Sequence, residues 1–323
     1  MFCRLIASAV LAAMAVCAAP ARAQQAETYP SQPIRLFITN PAGGLPDTVA
    51  RIFGRALEQR LGKAVVVENR PGANGSVAVN AMLAAPADGY VFVVTDGAIW
   101  SVNPALYADN PYQEKDLKPV SLLARAPLFL SLHPKVPANT LAEFVPYAKA
   151  NAGKLNYGSS GVGSIHHLSM VALADALKLD MTHVPFKGTG ESVPALLGGH
   201  IEALFSAYPS LSGAAAAKQV KLVAANSGAR SALAPELPSI AEMIPGYDYA
   251  PIVGVYAKTG TPDAIASRLA AEIAAVAREA DTIQRLSVVG VEAVGGDGAA
   301  HLKALQAESD KLRPLLKLTG LVK

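Results

Sequence analysis

Short apolar runs along the chain alternate with longer segments in which apolar residues recur every three or four positions. Residues 34–39 form the first apolar run, and residues 47–61 carry an apolar stripe of helical period. Two further apolar runs, at 64–68 and 90–95, enclose a second helical segment at 74–85. Because strands and helices alternate here, the pattern predicts a parallel sheet with right-handed crossovers.

The same alternation restarts near residue 128. Apolar runs predict strands at 128–133, 156–157, 181–184, 203–205, 221–225 and 252–257. Helical periodicity predicts helices at 140–150, from Ser164 onward, at 192–197, after residue 261 and at 299–317. No Gly/Ser linker separates the two units, so we expect two lobes between which the chain crosses twice. The first lobe would hold residues 24–125 and 251–323, and the second lobe residues 126–250.

Three residues predict where helices begin or end. Asp47 is expected as the cap or first-turn acid of the first helix, and Gly62 as its stop. In Thr261-Pro262-Asp263, Pro262 is expected at the first position of a later helix.

The first 23 residues have the pattern of a cleavable signal peptide. Arg4 precedes an apolar run, residues 5–19, which is too short to span a membrane, and Ala21-Arg22-Ala23 resembles a cleavage site. Both cysteines, Cys3 and Cys17, lie in this segment, and the residues before Cys17 lack the pattern of a lipoprotein site. We therefore expect an extracytoplasmic mature chain without disulfides or thiol chemistry.

The charge composition gives no indication of a nucleic-acid partner. Lys and Arg number 28 against 25 Asp and Glu, for a formal net charge of +3, and no long basic run occurs. Hydrophobic residues make up 51% of the chain, enough for large packed cores.

Glycine-rich turns that connect a strand to a helix are favourable sites for anions, because free N–H groups and the positive helix end converge there. Two such turns, residues 41–47 and 158–164, fall in different predicted lobes, and the second also offers hydroxyl groups from Ser159, Ser160 and Ser164. Together they could hold a carboxylate at each end of a small dianion. A third turn, at residues 72–76, is more simply a tight connection.

The sequence lacks the motifs of the main enzyme classes. The glycine order at 158–163 differs from a dinucleotide fingerprint, and there is no phosphate-binding loop, nucleophile elbow or zinc-binding helix motif. We therefore expect no cofactor, no metal and no catalytic residues.

Several polar and aromatic residues near these turns could either contact a ligand or have a purely structural role. His166 could contact a ligand or bond locally, whereas His167 is expected to bond locally at the helix start; the remaining histidines carry no signal. Lys187 could pair with a ligand carboxylate or lie in a solvated turn. Trp100 could form a wall between the lobes or belong to a core.

A series of ordered motifs resembles one protein family. They are Tyr29-Pro30-x-x-Pro33-Ile34-Arg35, Pro41-Ala42-Gly43-Gly44-x-x-Asp47-x-x-Ala50-Arg51, Val65-Val66-Val67-Glu68-Asn69-Arg70-Pro71-Gly72-Ala73, Asp88-Gly89-Tyr90, Asn103-Pro104-x-Leu106-Tyr107, Gly153-Lys154-Leu155-Asn156-Tyr157-Gly158-Ser159, His183-Val184-Pro185-Phe186-Lys187-Gly188, Leu196-Leu197-Gly198-Gly199 and Thr259-Gly260-Thr261-Pro262. The chain resembles the Bug family of periplasmic solute receptors, which serve tripartite tricarboxylate transporters.

The resemblance implies an α/β, two-lobed periplasmic binding protein of type II, a Venus flytrap in which each lobe has a central sheet flanked by helices. It also implies a monomer that captures a small carboxylate and delivers it to membrane transporter subunits. Carried over, the family's carboxylate-binding loops correspond to Ala42, Gly43, Gly44 and Asp47 in the first lobe, and to Ser159, Ser160, Gly161 and Ser164 in the second.

One departure from the family pattern bears on the ligand. Many members have an acidic residue where this chain has Ser206, and that acid can pair with the ammonium of an amino-acid ligand. We therefore expect a ligand without an ammonium group, either a di- or tricarboxylate or an aromatic carboxylate lying against Trp100, Phe205 or Tyr208.

Two other functions are weaker hypotheses. A ligand-sensing adaptor would present the same lobes to the periplasmic part of a signalling kinase. A secreted α/β hydrolase would need a nucleophile, a base and an orienting residue, and no such set is evident.

Overall fold

Two mixed β-sheets, each flanked by helices, organise the protein. The computed structural model describes residues 29–107, 109–186 and 188–320, so the expected signal peptide and Lys187 lie outside the described residues. The strands in this part of the chain are β1 (Ile34–Ile38), β2 (Val65–Asn69), β3 (Val91–Asp96), β4 (Leu117–Arg125), β5 (Leu128–Leu132), β6 (Asn156–Ser159), β7 (Thr182–Pro185), β8 (Ala203–Ala207), β9 (Lys221–Ala225), β10 (Ile252–Lys258) and β11 (Glu292–Gly296).

The first sheet has the order β11-β4-β10-β3-β1-β2. Strand β1 pairs in parallel with both β2 and β3, which confirms the parallel arrangement predicted for this part of the chain. The other half of the sheet is antiparallel, since β10 runs opposite to both β3 and β4, and β11 runs opposite to β4. The sheet is therefore mixed, and a parallel arrangement holds only for its first three strands.

The second sheet has the order β7-β6-β8-β5-β9. Strand β6 is parallel to β7 and β8, whereas β5 is antiparallel to β8 and β9. The ends of β1 and β6 that lead into helices both carry the glycine-rich turns, so each sheet presents one such turn at the carboxyl end of a parallel strand.

Helices cover both sheets. They are α1 (Leu45–Leu61), α2 (Ser76–Leu83), α3 (Ala98–Ser101), α4 (Asn103–Leu106), α5 (Leu141–Ala150), α6 (Ile165–Leu177), α7 (Thr189–Leu197), α8 (Tyr208–Ala216), α9 (Asp263–Val276), α10 (Ala280–Val288) and α11 (Gly298–Leu318). None of the helices in the described residues combines the length and the apolar character that crossing a membrane requires.

The predicted helix signals are mostly confirmed. Gly62 ends α1 in a left-handed conformation with φ of 64°, and Asp47 lies in the first turn of α1, where Gly44 is the cap. Pro262 is the cap of α9, so the prediction that it occupies the first helical position is wrong by one residue.

Two strands, β4 and β11, were not predicted from the sequence, and each has a physical reason. Strand β4 contains Pro119, a residue that lacks the ladder-forming N–H and argues against a strand. Its pairing with β10 is irregular next to this residue. Strand β11 contains two glycines and forms an edge of the sheet.

The chain crosses between the sheets at two adjacent segments. The N–H of Ala126 donates to the carbonyl of Pro251 over 2.9 Å, which holds the crossings side by side. The guanidinium of Arg125 also donates to both carboxylate oxygens of Asp248, over 2.7 and 2.8 Å. These contacts join the two crossing segments, which are called the hinge segments below.

Helix α11 contacts both lobes. Leu305 belongs to the apolar core on one face of the first sheet, together with Phe37, Val93 and Tyr256. About two to three turns later, Leu312, Leu315 and Leu316 belong to the core of the second sheet and α6. The last helix of the described chain thus spans from one lobe to the other.

Candidate functional site

The first candidate site is the loop between β1 and α1. Gly43 has φ of 83°, a left-handed conformation that glycine adopts without strain, and Gly44 caps the helix without a side-chain hydrogen bond. Ala42 and Gly43 are exposed and Gly44 is half-buried. The first intrahelical hydrogen bond runs from the N–H of Thr48 to the carbonyl of Gly44, so the N–H groups of Leu45 and Asp47 have no acceptor within the helix, and Pro46 has no N–H. The loop therefore offers backbone donors and a positive helix end to an anion.

The carboxylate of Asp47 accepts hydrogen bonds that hold this loop in place. Its side chain is almost fully buried and accepts hydrogen bonds from the N–H of Gly43 over 2.9 Å, from Nδ2 of Asn69 over 2.9 Å and from Nε of Arg51 over 3.1 Å. Burial raises the pKa of Asp47, but these donors outweigh burial and leave the pKa below its ordinary value. Asp47 is thus an ionised anchor of the loop, committed to protein donors.

The second candidate site is the loop between β6 and α6. The hydroxyl of Ser164 donates to the carbonyl of Gly161 over 2.7 Å and, as the helix cap, accepts from the N–H of His167 over 3.3 Å. Ser159 is buried, and its Oγ accepts from the N–H of Gly161 over 3.1 Å. Gly161 has φ of 127°, so this tight turn suits glycine.

Three histidines hold this second loop. Oγ of Ser160 lies 2.6 Å from Nδ1 of His166, and Oγ of Ser159 lies 2.7 Å from Nε2 of His183. The N–H of Gly163 donates to Nδ1 of His167 over 3.1 Å. His167 is therefore neutral with its proton on Nε2, because a protonated Nδ1 could not accept this hydrogen bond.

The histidine rings also stack on one another. The centroids of His167 and His183 lie 3.9 Å apart, and Tyr157 stacks on His183 at 5.0 Å. Burial, together with the neighbouring His183, lowers the pKa of His167 to about 4, and burial alone lowers the pKa of His166 to about 4. Burial also lowers the pKa of His183. The loop is thus built on neutral imidazoles.

The structure groups the predicted site residues within each lobe. Gly43 and Asp47 are bonded in the first loop, and Ser159, Gly161 and Ser164 share a network in the second. No hydrogen bond between described residues joins the two loops. His167 bonds locally, as predicted, and His166 bonds to Ser160.

Ser206 occupies a different position from the loop residues. It lies within β8 rather than after it, is fully buried, and its Oγ has no hydrogen-bond partner among the described residues. A ligand contact by Ser206 stays a prediction.

Trp100 and Phe205 belong to cores. Trp100 is 8% exposed and lies in the core that covers one face of the first sheet, so the interpretation as core applies. Phe205 is 0% exposed in the core of the second sheet. Tyr208 is half-buried and packs on Phe129.

Sequence reasoning missed the supporting residues of both loops. Asn69 and Arg51 donate hydrogen bonds to Asp47. Both residues belong to the motifs that carry the family resemblance, and this is the one sequence signal that could have identified them. His183, which was assigned no signal, lies opposite Tyr157 in the parallel pairing of β6 and β7. Its role follows from strand pairing, which residue spacing along the chain does not show.

The described residues contain no group of three or more His, Cys, Asp or Glu side chains placed to hold a metal ion. Neither loop sequence contains Lys or Arg. An anion at these loops would therefore meet mainly backbone N–H groups, because the hydroxyl of Ser164 already donates to the carbonyl of Gly161.

Solved structures similar to this chain include two that hold a dicarboxylate. With a TM-score of 0.80 and 28% identity, R. palustris Rpa4515 with adipate is similar over 91% of this chain and 99% of its own. MatC from Rhodopseudomonas palustris with bound malate has a TM-score of 0.74 and 26% identity, over 89% of this chain and 100% of its own. The periplasmic binding protein BugD has a TM-score of 0.75 and 26% identity, over 91% and 100%.

Sequence comparisons also find relatives that match most of this chain. A protein in the tcbD-tcbE intergenic region of Pseudomonas sp. strain P51 is 30% identical over 94% of this chain and 91% of its own length. BugT of Bordetella pertussis is 33% identical over 73% of each chain. The family model described as "Tripartite tricarboxylate transporter family receptor" matches residues 49–321. This family and the structural neighbours are periplasmic solute-binding receptors, with the two-lobed α/β fold predicted from the sequence. The chain therefore belongs to the tripartite tricarboxylate transporter receptor family, which includes the Bug proteins.

Proposed function

We propose that this protein captures an aliphatic dicarboxylate between the β1–α1 loop of one lobe and the β6–α6 loop of the other. The observation that carries the proposal is the matching pair of loops. Each loop follows a parallel strand and leads into a helix, and the two strands belong to different sheets. One carboxylate would bind at residues 42–47 and the other at residues 159–164. Lobe closure about segments near residues 125 and 250 would then bury the ligand.

The chemistry of the loops suits carboxylates without an ammonium group. Backbone N–H groups, hydroxyl groups and two helix N-termini are all donors or positive ends, and they favour anions. The carboxylate of Asp47 is already occupied by protein donors, so it is a poor partner for a ligand ammonium. Ser206 supplies no charge for an ammonium either.

An aliphatic ligand fits better than an aromatic one. Trp100 and Phe205 are packed in cores, which removes two of the three rings expected to support an aromatic carboxylate. The adipate and malate of the two neighbouring structures are both aliphatic dicarboxylates.

The family supports a role in transport. We propose that residues 1–23 direct the chain to the periplasm and are removed, and that the mature monomer delivers its ligand to tripartite membrane subunits. Its function would be binding without turnover, as in the solute-binding receptors it resembles.

A thermal-shift panel tests the ligand class. Adipate, malate, citrate, benzoate, glutamate and the diamide of adipate would be added to the mature chain from Gln24 onward. A ligand at about 100 times its Kd adds about 2.7 kcal/mol of stability and should raise the unfolding midpoint by a few degrees. We expect a shift with a dicarboxylate and none with its diamide. A larger shift with glutamate than with adipate or malate, which have no ammonium group, would contradict the proposed ligand class.

Ser206→Ala tests the contribution of β8. Because the buried hydroxyl lacks a partner in the described structure, its removal should raise the free energy of unfolding by about 1 kcal/mol. If Ser206 contacts the ligand, calorimetric titration of the same variant should show a weaker Kd. An unchanged Kd would remove Ser206 from the binding site.

A further inference from the structure

A cavity of about 310 Å³ lies between the hinge segments, helix α11 and the start of α6. Its lining combines apolar side chains with Arg125 and Asp248 of the hinge and with Lys303, Glu308 and Lys311 of α11. The cavity separates elements of both lobes. A change in the charge of its lining therefore bears on how the lobes are held together.

Glu308 is pressed against the segment that follows β3. Its Oε2 lies 2.7 Å from Oγ of Ser101, and a Cβ added to Gly97 would lie 1.8 Å from the same Oε2. A side chain at position 97 would displace this carboxyl group from its place against the segment. Arg313, farther along α11, contacts Ser101 and Glu114, so α11 is attached to the same segment twice.

The hydrogen bonds around Ser101 indicate the protonation state of Glu308. Oγ of Ser101 is also 2.8 Å from the carbonyl oxygen of Gly97. A hydroxyl has one proton to donate and a carbonyl can only accept. Both contacts are full hydrogen bonds when Glu308 carries a proton and donates it to Ser101, whereas an ionised Glu308 would have to share the single hydroxyl proton with the carbonyl of Gly97.

The charged groups around Glu308 do not neutralise an ionised carboxylate by direct contact. Asp96 faces it from β3 and Tyr256 from β10. Arg125 is bonded to the carboxylate of Asp248, and Nζ of Lys311 donates to the carbonyl of Asp248 over 3.1 Å. Lys303 also lines the cavity but is exposed.

We propose that α11 is a proton-sensitive strap between the lobes, fastened to the first lobe by neutral Glu308 and loosened when Glu308 ionises. The ionised carboxylate loses its bond to Ser101 or displaces the bond of Ser101 to Gly97. It then has an alternative partner across the cavity, because Nε of Arg125 is buried without a partner among the described residues. The strap would shift from the segment at 97–101 toward the hinge, and the lobes would gain freedom to separate.

Ionisation of Glu308 is expected to lower the stability of the protein as pH rises. Burial raises the pKa of Glu308 from 4.5 to about 7, and the negative charge of Asp96 adds to this, whereas the positive charges of Arg125 and Lys311 oppose it. The unfolded chain releases the proton at lower pH than the folded chain does. The stability from neutral Glu308 is therefore present at acid pH and is lost as pH rises through the range between these two values.

The test compares wild type with Glu308→Gln and with Asp310→Asn, an exposed acid on the same helix. Unfolding midpoints would be measured between about pH 5 and about pH 8. We expect the wild type and Asp310→Asn to lose several degrees more than Glu308→Gln over this range. Equal slopes for all three proteins would overturn the assignment of Glu308. Infrared spectroscopy of wild type near pH 6, a second measurement that needs no variant, should show a buried protonated carboxyl band.

A distance measurement tests the strap itself. Paired spin labels on the exposed positions Lys63 and Lys149, one in each lobe, would report lobe separation without ligand. The distribution should broaden or lengthen on raising the pH in wild type and stay unchanged in Glu308→Gln. A carboxyl that titrates while the distances remain constant would overturn the strap. These readouts are independent of ligand identity.

Discussion

Asp47→Ala is expected to weaken carboxylate binding at least tenfold and to lower the free energy of unfolding by about 2–4 kcal/mol. The variant leaves the N–H of Gly43 and the amide of Asn69 without their acceptor in a partly buried loop. The loop would then lose the conformation that directs its N–H groups toward the ligand. Calorimetric titration with the best dicarboxylate, well below the unfolding midpoint, separates affinity from stability.

Asp281→Asn is the matched control. Asp281 also pairs with an arginine four residues later, Arg285, but the pair is exposed. Exposed pairs of this kind contribute little. We expect an unchanged Kd and an unchanged unfolding midpoint. If Asp47→Ala binds as tightly as this control, the first loop does not depend on Asp47 and the proposed anchor is wrong.

Acidification is expected to destabilise the second loop through its histidines. His167 must stay neutral to accept the N–H of Gly163, and its protonation would place a cation 3.9 Å from the ring centroid of His183. Burial and His183 lower its pKa from 6.5 to about 4. Because the unfolded chain binds the proton at higher pH, stability is full above the unfolded value and falls by about 3 kcal/mol as pH drops toward the folded value.

His167→Phe isolates this effect. Phenylalanine keeps a ring in the stack but cannot bind a proton or accept from Gly163. We expect it to be less stable than wild type at neutral pH and to show a smaller loss on acidification. His200→Gln, at an exposed histidine, should retain the wild-type slope. Measuring all variants in a Glu308→Gln background removes the opposing titration of that carboxyl. An acid slope in His167→Phe equal to that of wild type would contradict the role of His167.

The parts of the fold that sequence predicted best are those set by local patterns. The first three strands, the end of α1 at Gly62 and the start of α6 at Ser164 depend on apolar periodicity and on helix-capping residues. Strand β4 depends on its partners instead, and its proline conceals it. The mixed character of the first sheet comes from the antiparallel pairing of β10 with β3 and β4, a direction that apolar periodicity does not show.

In the candidate site, too, local sequence patterns could be predicted, whereas contacts between distant segments could not. Gly-rich turns after strands are local signals, so both loops could be located from sequence. The groups that support them come from elsewhere in the chain: Asn69 reaches Asp47 from β2, and His183 reaches Ser159 from β7. These contacts are created by strand pairing and helix packing. A protonated Glu308 beside Gly97 is likewise visible only once α11 is packed against the segment after β3.

The most direct test of the account is a crystal structure of the mature protein with the dicarboxylate that gives the largest thermal shift. We expect one molecule per chain, with one carboxylate bound at residues 42–47 and the other at residues 159–164, and with the lobes closed around it. A ligand bound outside both loops, for instance in the cavity beside Glu308, would contradict it.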